Sequence, residues 1–390
     1  MGRRSYNSKY YNSNKDMKIK EIKLYPLKSI VKPFASATGW KRSRETILIE
    51  IINDDGLSGW GEAMGPLYSV VKAIEEDLSP IIINQDPLDN GVLWEKMQIK
   101  KYKGTPPGAI GGIDIALWDL KGKILNIPVY KLLGGCFSKK IQPYATALFY
   151  HANEEENNLE LFEKEARRLL DLNFKAIKMK VGFGIKHDIK RVNKLRGIVG
   201  EDFPIMVDAN QSYDFSSALE LGKVLDELGV IWFEEPLQWI SIAAYRELSN
   251  RLQLLIAGGE VENNLMGFFE IIKQRAVQII QPDPIFCGGI TPCQHIASLA
   301  KASQVAFYPH CFGNIVSLFA GIHLTAGYSH YANWMPIERP ILFEWDTTDN
   351  PLKEIVIQSI PEIKNGYIDV PREPGLGVEI NRTVLKKYLA

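Results

Sequence analysis

The sequence predicts an α/β protein in which a parallel barrel of alternating strands and helices follows an N-terminal α+β domain. One observation is a change of pattern near residue 140, from strands followed by helices to a regular alternation of the two. Another is that Asp208, Glu234 and Glu260 recur at an interval of 26 residues, each after a short apolar run. That interval is about the length of one strand-loop-helix-loop unit, so consecutive barrel strands would carry the three acids.

The first part of the chain has the pattern of antiparallel strands followed by helices. Residues 18–61 contain the apolar runs IKEIKLYPL and ETILIEIIND and a turn at DDGLSG. Residues 69–133 show helical periodicity, for example in IDIALWDLKGKILN. This order predicts an α+β domain over 18–140. We expect a disordered tail at residues 1–17 because that segment is polar.

Six apolar runs between residues 141 and 345 are candidate barrel strands. They are AIKMKV (176–181), PIMVD (204–208), VIWFEE (230–235), LLIAGG (254–259), AVQIIQPD (276–283) and VAFYPH (305–310). Amphipathic helix candidates lie between them, such as Ser216–Leu228 with Asp214 as its N-cap. A polar residue stands at or near the carboxyl end of nearly every run. In parallel barrels that rim carries the chemistry.

Composition limits the classes of partner. Lys plus Arg equals Asp plus Glu at 46 each, so nothing favours a nucleic acid or a membrane surface, and we expect a small-molecule ligand. No apolar run reaches membrane-spanning length, and the polar start of the chain lacks the apolar stretch of a secretory signal. The four cysteines form no CxxC pair, which predicts a reducing, cytoplasmic location.

The three regularly spaced acids predict a metal site. Three negative charges at one rim repel one another unless a cation lies among them. Oxygen ligands favour Mg²⁺, with Mn²⁺ as a substitute. Glu235 competes with Glu234 for the middle position, but neighbouring strand residues face opposite sides and only Glu234 keeps both intervals equal. Each acid alone is more often a salt-bridge partner or a helix cap, so the prediction depends on the set.

Two lysines and a histidine are candidate acids and bases. Lys178 and Lys180 are two apart on an apolar strand and share one face, where a second ammonium group and desolvation would lower the pKa of one of them. The alternative is a pair of solvated lysines at an edge. Asp283 and His310 follow at intervals of 23 and 27 residues. An aspartate on the neighbouring strand would orient His310 and stabilise its imidazolium.

The chain resembles the enolase superfamily and, within its mandelate racemase / muconate lactonizing enzyme family, the mandelate racemase-like group. The motifs that carry the resemblance, in order, are GWGEA (59–63), ALWDLKGK (116–123), KLLGG (131–135), KMK (178–180), VDANQ (207–211), EEP (234–236), AGGE (257–260), QPD followed by GG (288–289), PHCFGN (309–314), FEWDTTDNPL (343–352) and PGLGVE (374–379). The resemblance covers nearly all of residues 18–380. It implies a modified TIM barrel, (β/α)7β, with an N-terminal α+β capping domain completed by a C-terminal segment at 346–390.

The resemblance also implies roles for individual residues. Lys180 would be the base on one side of the substrate, with Lys178 tuning it and contacting the substrate carboxylate. His310 with Asp283 would be the acid or base on the opposite side, and Asn210 would contact substrate. The Mg²⁺ ligands would be Asp208, Glu234 and Glu260.

Two further positions bear on the assignment within the family. The muconate cycloisomerase and dipeptide epimerase groups carry a lysine two residues before the GG pair, where this chain has Phe286. The group usually has a glutamate beyond the histidine strand that donates a hydrogen bond to the substrate carboxylate. Glu344 fits the motif there, which implies an insertion around 330–342, and Glu338 is the alternative.

The chemistry that the resemblance implies begins with removal of the proton α to a carboxylate, because a metal and hydrogen bonds stabilise the resulting enediolate. We expect dehydration of an acid sugar to a 2-keto-3-deoxy acid, since dehydratases are the commoner activity in this group. The alternatives are a racemase or epimerase of a 2-hydroxy acid and a non-catalytic sugar-acid binding protein. Family members are often homo-oligomers, dimers or octamers.

Substrate specificity is expected in two predicted loops over the barrel mouth, at residues 28–44 and 62–70. Cations in the first of them could hold a second carboxylate or a polyhydroxy chain, although solvated surface charge explains them equally well. These cations are Lys28, Lys32, Lys41, Arg42 and Arg44.

Overall fold

A computed structural model describes residues 17–151, 159–239, 241–329, 341–357 and 360–390. Apart from Met17, the predicted disordered tail lies outside these ranges. So does most of the predicted insertion at 330–342, including Glu338. Among the described helices, none has both the length and the apolar character needed to cross a bilayer.

The elements alternate as the sequence indicates. The strands are β1 (Ile19–Ser36), β2 (Gly39–Asn53), β3 (Ser58–Ala63), β4 (Lys140–Ala147), β5 (Tyr150–His151), β6 (Ile177–Lys180), β7 (Ile205–Asp208), β8 (Trp232–Glu234), β9 (Leu255–Gly258), β10 (Ile279–Ile280), β11 (Ala306–Phe307), β12 (Leu342–Asp346) and β13 (Ile368–Asp369). The helices are α1 (Leu67–Lys72), α2 (Ser79–Ile82), α3 (Asn90–Lys101), α4 (Pro107–Leu125), α5 (Val129–Leu132), α6 (Leu159–Asp171), α7 (Ile185–Val199), α8 (Phe215–Glu227), α9 (Ile242–Arg251), α10 (Leu265–Lys273), α11 (Ile290–Ala302), α12 (Val316–Gly327) and α13 (Arg382–Leu385). A π-helical turn at Ala73–Leu78 separates α1 from α2, and 3₁₀ turns occur at Pro351–Ile355 and Lys386–Tyr388.

The N-terminal strands form an antiparallel sheet in the order β3-β2-β1, with β5 on the free edge of β1. In β2, Ile47, Ile49 and Ile51 alternate along the strand and are fully buried against the helices that follow. Leu48 and Glu50, on the opposite face of the strand, are buried as well, so both faces of β2 are covered by other parts of the protein. The predicted α+β capping domain is confirmed.

The segment 28–44 is not a loop, and that prediction is wrong. It is the distal part of the hairpin between β1 and β2, whose pairing continues as far as Ser36 opposite Gly39. A bulge between Ile30 and Phe34 interrupts the register. A proline and a run of consecutive polar residues hide this part of the hairpin from a periodicity analysis.

The second sheet is parallel and has the strand order of the predicted barrel. Its path runs β12-β4-β6-β7-β8-β9-β10-β11, so the last barrel strand lies beside the first. Residues Leu342–Asp346 of β12 pair in parallel with Gln142–Thr146 of β4. The helices α6 to α12 each connect two successive barrel strands. Seven strand-helix units and a final strand make the (β/α)7β barrel that the resemblance implies, and that prediction is confirmed.

Helix α8 has the cap and the buried face that the sequence predicts. The Asp214 carboxylate accepts a hydrogen bond from the backbone N–H of Ser217 at 2.8 Å, which satisfies one of the free donors of the first turn. Ala218, Leu221 and Leu225 are fully buried on the face toward the barrel. The strong end signal and the regular stripe make this one of the most predictable elements of the chain.

The C-terminal segment packs on both the barrel and the capping domain. Strand β13 pairs antiparallel with β4. The guanidinium of Arg382 binds the buried Glu50 carboxylate of β2, and the backbone N–H of Leu376 donates to Asp119 of α4 at 2.7 Å. Through these contacts the C-terminal segment completes the capping domain. The exact domain boundaries given by the sequence stay predictions.

Candidate active site

The barrel interior is layered because inward-facing residues of a strand are two apart. Tyr144, Met206, Trp232 and Ile279 form part of an apolar cluster inside the barrel. Two residues further along the strands, toward their carboxyl ends, the buried side chains are polar. This polar layer consists of Thr146, Lys178, Asp208, Glu234, Gln281 and Glu344. At the carboxyl ends of the barrel strands, a layer of polar and charged side chains therefore lies directly above the apolar cluster.

The three regularly spaced acids lie together. Asp208 and Glu234 end β7 and β8 and are register partners. Glu260 lies two residues beyond β9, after Gly259 turns the chain with φ 121°. One carboxylate oxygen of each acid lies within 4.8 Å of the corresponding oxygens of the other two. Three carboxylates at this distance are a ligand set that suits a hard divalent cation such as Mg²⁺.

Burial and mutual repulsion perturb these carboxyl groups. Burial raises the pKa of Glu234 to about 7; Lys178 opposes this shift, and Asp208 adds to it. Burial also raises the pKa of Glu260. Although burial opposes it, attraction to Lys180 and Lys178 lowers the pKa of Asp208. The cluster therefore holds more negative charge than its immediate neighbours compensate.

Lys178 belongs to this polar layer and Lys180 lies two residues beyond it on β6; both side chains are buried, which excludes a solvated edge. Lys178 Nζ lies 2.5 Å from Glu234 Oε1 and 2.8 Å from Glu344 Oε1. Lys180 Nζ donates a hydrogen bond to Asp208 Oδ2. The predicted lowering of a lysine pKa is wrong for this arrangement: burial lowers both values, but the neighbouring carboxylates outweigh it and both are raised.

His310 and Asp283 form the predicted pair. His310 Nδ1 lies 2.7 Å from Asp283 Oδ2, and the other oxygen of Asp283 accepts the backbone N–H of Ile285 at 2.7 Å. His310 Nε2 lies 3.1 Å from Glu260 Oε2. Burial lowers the pKa of His310, but Glu260, Glu344 and the Asp283 hydrogen bond together raise it to about 10. The aspartate thus fixes the ring while Nε2 faces the acid cluster.

Glu344 lies in the site, while its competitor Glu338 lies outside the described residues. Its Oε1 accepts from Thr146 Oγ1 at 2.6 Å and its Oε2 from the backbone N–H of Cys311 at 2.8 Å. Burial opposes ionisation, yet Lys178 holds the pKa of Glu344 below its usual range. An ionised Glu344 accepts hydrogen bonds, so this arrangement does not provide the donor that the resemblance implies.

The two candidate bases stand at opposite ends of the acid cluster. Lys180 contacts Asp208 on β7, and His310 contacts Glu260 after β9, with Glu234 on the strand between them. A small molecule bound over the cluster would therefore have one proton-transfer group on each side. Asn210 donates from its backbone N–H to Asp208 Oδ1 at 2.8 Å, and its buried Oδ1 accepts no hydrogen bond within the described part of the chain.

Sequence reasoning missed two groups that hold Glu234. Gln281 Nε2 donates to Glu234 Oε2 at 2.9 Å, and Trp232 Nε1 lies 3.2 Å from the same oxygen. Both could have been found from strand periodicity. Gln281 stands two residues before Asp283, and Trp232 stands two residues before Glu234, so both face the barrel interior.

One of the cations expected at the barrel mouth has a different role. Arg44 is buried; its Nη2 lies 2.6 Å from Asp346 Oδ2, and its guanidinium carbon lies 4.6 Å from the centre of the Phe312 ring. It joins the capping domain to the end of β12. The other four, Lys28, Lys32, Lys41 and Arg42, are exposed on the hairpin.

Comparisons with known proteins decide the family. The model described as "Mandelate racemase / muconate lactonizing enzyme, N-terminal domain" matches residues 19–134, and the model "Enolase C-terminal domain-like" matches residues 161–384. A D-galactarolactone cycloisomerase of Agrobacterium fabrum is 35% identical over 381 residues, covering 95% of this chain and 99% of the relative. The chain belongs to the mandelate racemase / muconate lactonizing enzyme family of the enolase superfamily.

Other members of the mandelate racemase / muconate lactonizing enzyme family differ in their named activities. An arabinonate dehydratase of Saccharolobus solfataricus is 34% identical, covering 88% of this chain and 90% of the relative. The crystal structure of L-talarate dehydratase from Polaromonas sp. JS666, complexed with Mg and L-glucarate, is similar with a TM-score of 0.83 and 26% identity. It covers 96% of this chain and 98% of that one. The mandelate racemase-like assignment made from the motifs is confirmed.

Proposed function

We propose that the protein is a Mg²⁺-dependent dehydratase that converts an acid sugar to a 2-keto-3-deoxy acid. The observation that carries the proposal is the placement of Lys180 and His310 at opposite ends of the acid cluster. The names of two relatives, an arabinonate dehydratase and an L-talarate dehydratase, support dehydration of a sugar acid. Within the proposal, Asp208, Glu234 and Glu260 would hold the metal.

The residues around the acid cluster fit a divalent cation. Besides the three carboxylates, the buried Oε1 of Glu235 and Oδ1 of Asn210 accept no hydrogen bond within the described ranges, so further oxygen atoms near the cluster are left without a donor. When bound, Mg²⁺ would act as a Lewis acid toward the substrate carboxylate. Its positive charge would also offset the attraction to nearby carboxylates, Asp208 above all, that raises the pKa of Lys180. Lys178, which lies between the carboxylates of Glu234 and Glu344, would form an ion pair with the substrate carboxylate.

The reaction begins at the Lys180 side. The neutral amine of Lys180 takes the α proton, and the electron pair of the C–H bond passes into the carboxylate to form an enediolate. The Lys178 ammonium stabilises the charge that accumulates on the carboxylate oxygens. Glu344 holds Lys178 in place through their 2.8 Å ion pair. Proton removal therefore depends on the β6 strand, which carries both lysines.

The elimination takes place at the His310 side. The imidazolium of His310 gives its Nε2 proton to the β-hydroxyl, the C–O bond breaks, and the electron pair of the enediolate forms the double bond of an enol. Water leaves, and the enol tautomerises to the 2-keto acid. Asp283 keeps the proton on Nδ1 and stabilises the imidazolium before the transfer. Lys180 and His310 then exchange protons with solvent and are reset.

Racemisation or epimerisation of a 2-hydroxy acid is the second candidate. The same pair of residues supports it, because His310 could return a proton to the α carbon from the face opposite Lys180. The relatives leave this open, since their names also include an N-succinyl-L-Arg/Lys racemase at 29% identity. The two candidates share the first step and differ in whether a C–O bond breaks.

An assay in D₂O separates these candidates. Enzyme and Mg²⁺ are incubated with acid sugars, sugar lactones and 2-hydroxy acids while α-deuterium incorporation is followed by NMR and 2-keto acid by carbonyl derivatisation. A dehydratase forms keto acid; a racemase incorporates deuterium with inversion and forms none. Lys180→Ala should abolish α exchange from the epimer whose proton faces Lys180, together with keto acid formation. His310→Asn should retain that exchange but lose keto acid. If no substrate exchanges or reacts, and EDTA changes nothing, a non-catalytic binding protein is favoured.

Localisation and assembly belong to the same proposal. The cysteines Cys136, Cys287, Cys293 and Cys311 are all free thiols, which supports the cytoplasmic location expected from the sequence. A homo-oligomer remains a prediction of the family resemblance. Sedimentation velocity of the purified protein would measure it directly, and a single monomeric species at micromolar concentration would contradict it.

A further inference from the structure

Glu62 projects from the capping domain toward the barrel because of the spacing in GWGEA. Gly59 and Gly61 of β3 face helix α4, so closely that a Cβ on Gly61 would lie 2.0 Å from the carbonyl oxygen of Gly112. Since alternate residues of a strand face opposite sides, Glu62 points away from α4. Its side chain is fully buried.

The Glu62 carboxylate binds the segment that follows the barrel strand of His310. Its Oε1 accepts the backbone N–H of Asn314 at 2.8 Å and the Thr46 hydroxyl at 3.0 Å, and its Oε2 accepts the backbone N–H of Ser317 at 2.9 Å. No ion pair joins Glu62 to any described residue. The carboxylate instead satisfies free N–H groups at the start of helix α12, where negative charge is favourable.

The segment from His310 to Ser317 contributes to the site at three points. It begins with His310 itself. The backbone N–H of Cys311 donates to Glu344, and the centre of the Phe312 ring lies 5.9 Å from Lys180 Nζ. A shift of this segment would therefore move the proposed acid and one hydrogen bond of Glu344 together. The metal-ligand candidates are on other strands and would not follow.

We infer that Glu62 is a positioning residue for the reaction, acting through the backbone of residues 310–317. This inference rests on the proposed function. Glu62 does not touch the acid cluster; it holds the segment that places His310 over it. Displacement of a catalytic group by about 1 Å is enough to reduce a rate by about 100-fold, so the effect of Glu62 should fall on the step that needs His310.

The test compares Glu62→Gln with a matched control, Glu50→Gln. Glu50 is also a fully buried carboxylate of the capping sheet, bound by Ser58 Oγ at 2.7 Å, by Tyr25 and by Arg382, but none of these partners borders the site. In both variants, one oxygen of a buried carboxylate, which accepts hydrogen bonds, is replaced by an NH₂ group, which can only donate them. Melting temperature, Mg²⁺ affinity by calorimetry, α-proton exchange, keto acid formation and the histidine side-chain NMR spectrum are measured for each.

We expect Glu62→Gln to reduce kcat for keto acid formation about 10- to 100-fold with little change in KM. Exchange at the Lys180 face and Mg²⁺ affinity should stay within about threefold of wild type. The His310 imidazole signal, assigned from its loss in His310→Asn, should shift. Glu50→Gln should lower the melting temperature alone. Thr46→Val, which removes the hydroxyl that donates to Glu62 and to the carbonyl oxygen of Ala63, should give a smaller change of the same kind.

Two results would overturn the inference. One is wild-type kcat and an unshifted His310 signal in Glu62→Gln; the other is an equal loss of activity in Glu62→Gln and Glu50→Gln, which would mark a general effect of stability. An inactive wild type would contradict the proposed function instead, and the NMR comparison would still decide whether Glu62 positions His310. If Glu62→Gln does not fold, Thr46→Val decides by the same criteria.

Discussion

His323 gives the protein a titratable group whose effect on stability can be worked out from its contacts. It lies fully buried in α12; Nδ1 accepts the backbone N–H of Tyr130 at 3.2 Å, and Nε2 lies 3.2 Å from the carbonyl oxygen of Leu376. The ring stacks on Tyr130 with 5.5 Å between centroids. Because an N–H can only donate, Nδ1 must be unprotonated. Only the neutral imidazole with hydrogen on Nε2 satisfies both partners.

The sign and size of the effect follow from the shifted pKa. Burial lowers the pKa of His323 to about 4, although the bond to Leu376 opposes the shift; the ordinary value is 6.5. Between these two values the unfolded chain binds more protons than the folded one, so the free energy of unfolding falls as pH falls from about 6.5 to about 4. At about 1.4 kcal/mol per pKa unit, the loss from this residue is about 2 kcal/mol at pH about 5 and about 3 kcal/mol at pH about 4.

Urea unfolding of wild type and His323→Gln measures this term. Gln can keep a donor and an acceptor but does not titrate. We expect wild type to lose about 2 kcal/mol more than His323→Gln between pH about 7.5 and pH about 5. Every other titrating group is common to both proteins and cancels in the difference. Equal losses for the two proteins would refute the reasoning, since His323 would then have the same pKa folded and unfolded.

The remaining predictions concern the metal, the proposed acid and the link between the domains. Glu260→Gln should weaken Mg²⁺ binding at least tenfold by calorimetry; unchanged affinity would remove Glu260 from the ligand set. Asp283→Asn should lower kcat for keto acid formation by about 10² to 10⁴, because His310 loses its orienting acceptor; wild-type kcat in steady-state assays would contradict this. Arg44→Leu should cost about 3 kcal/mol or more in urea unfolding, since it leaves the Asp346 carboxylate buried without its ion-pair partner; a loss below about 1 kcal/mol would show that Asp346 finds another. Mg²⁺ at about 100 times its Kd should raise the unfolding free energy by about 2.7 kcal/mol; a melting temperature independent of Mg²⁺ would mean that no metal binds the folded state.

Equal spacing in the sequence identified the acid cluster, but the three strands are not equivalent. Asp208 and Glu234 are register partners, whereas the residue of β9 opposite Glu234 is Ala257, three positions before Glu260. The turn at Gly259 brings Glu260 back to the cluster. The interval of 26 residues therefore predicted the right residues because it equals the length of one strand-helix unit. The three acids do not occupy equivalent positions in the strand register. A periodicity argument predicts which unit supplies a group, while turn geometry decides where it lies.

Effects that depend on partners far away in the chain could not be predicted from the sequence. The pKa of one lysine was predicted to be lowered, and this is wrong. The motif shows only one lysine beside another, while the folded site puts Glu234, Glu344 and Asp208 around them. The role of Glu62 was hidden for the same reason. Its partners Asn314 and Ser317 are 252 and 255 residues away in the chain. Local pattern carries no signal for such contacts, whereas strands, helices and caps are local.

The charges that the fold gathers at the rim explain why three separate strands must each contribute an acid. Six carboxyl groups and three basic groups meet there among the described residues, so full ionisation leaves an excess of three negative charges in a largely buried space. The acids are Asp208, Glu234, Glu235, Glu260, Asp283 and Glu344, and the bases are Lys178, Lys180 and His310. Such an excess is costly in a low-dielectric interior, and a core built only for stability would pair these charges. A divalent cation reduces the excess to one while leaving Lys180 and His310 free to exchange protons, so the imbalance is better explained by metal-dependent chemistry than by packing.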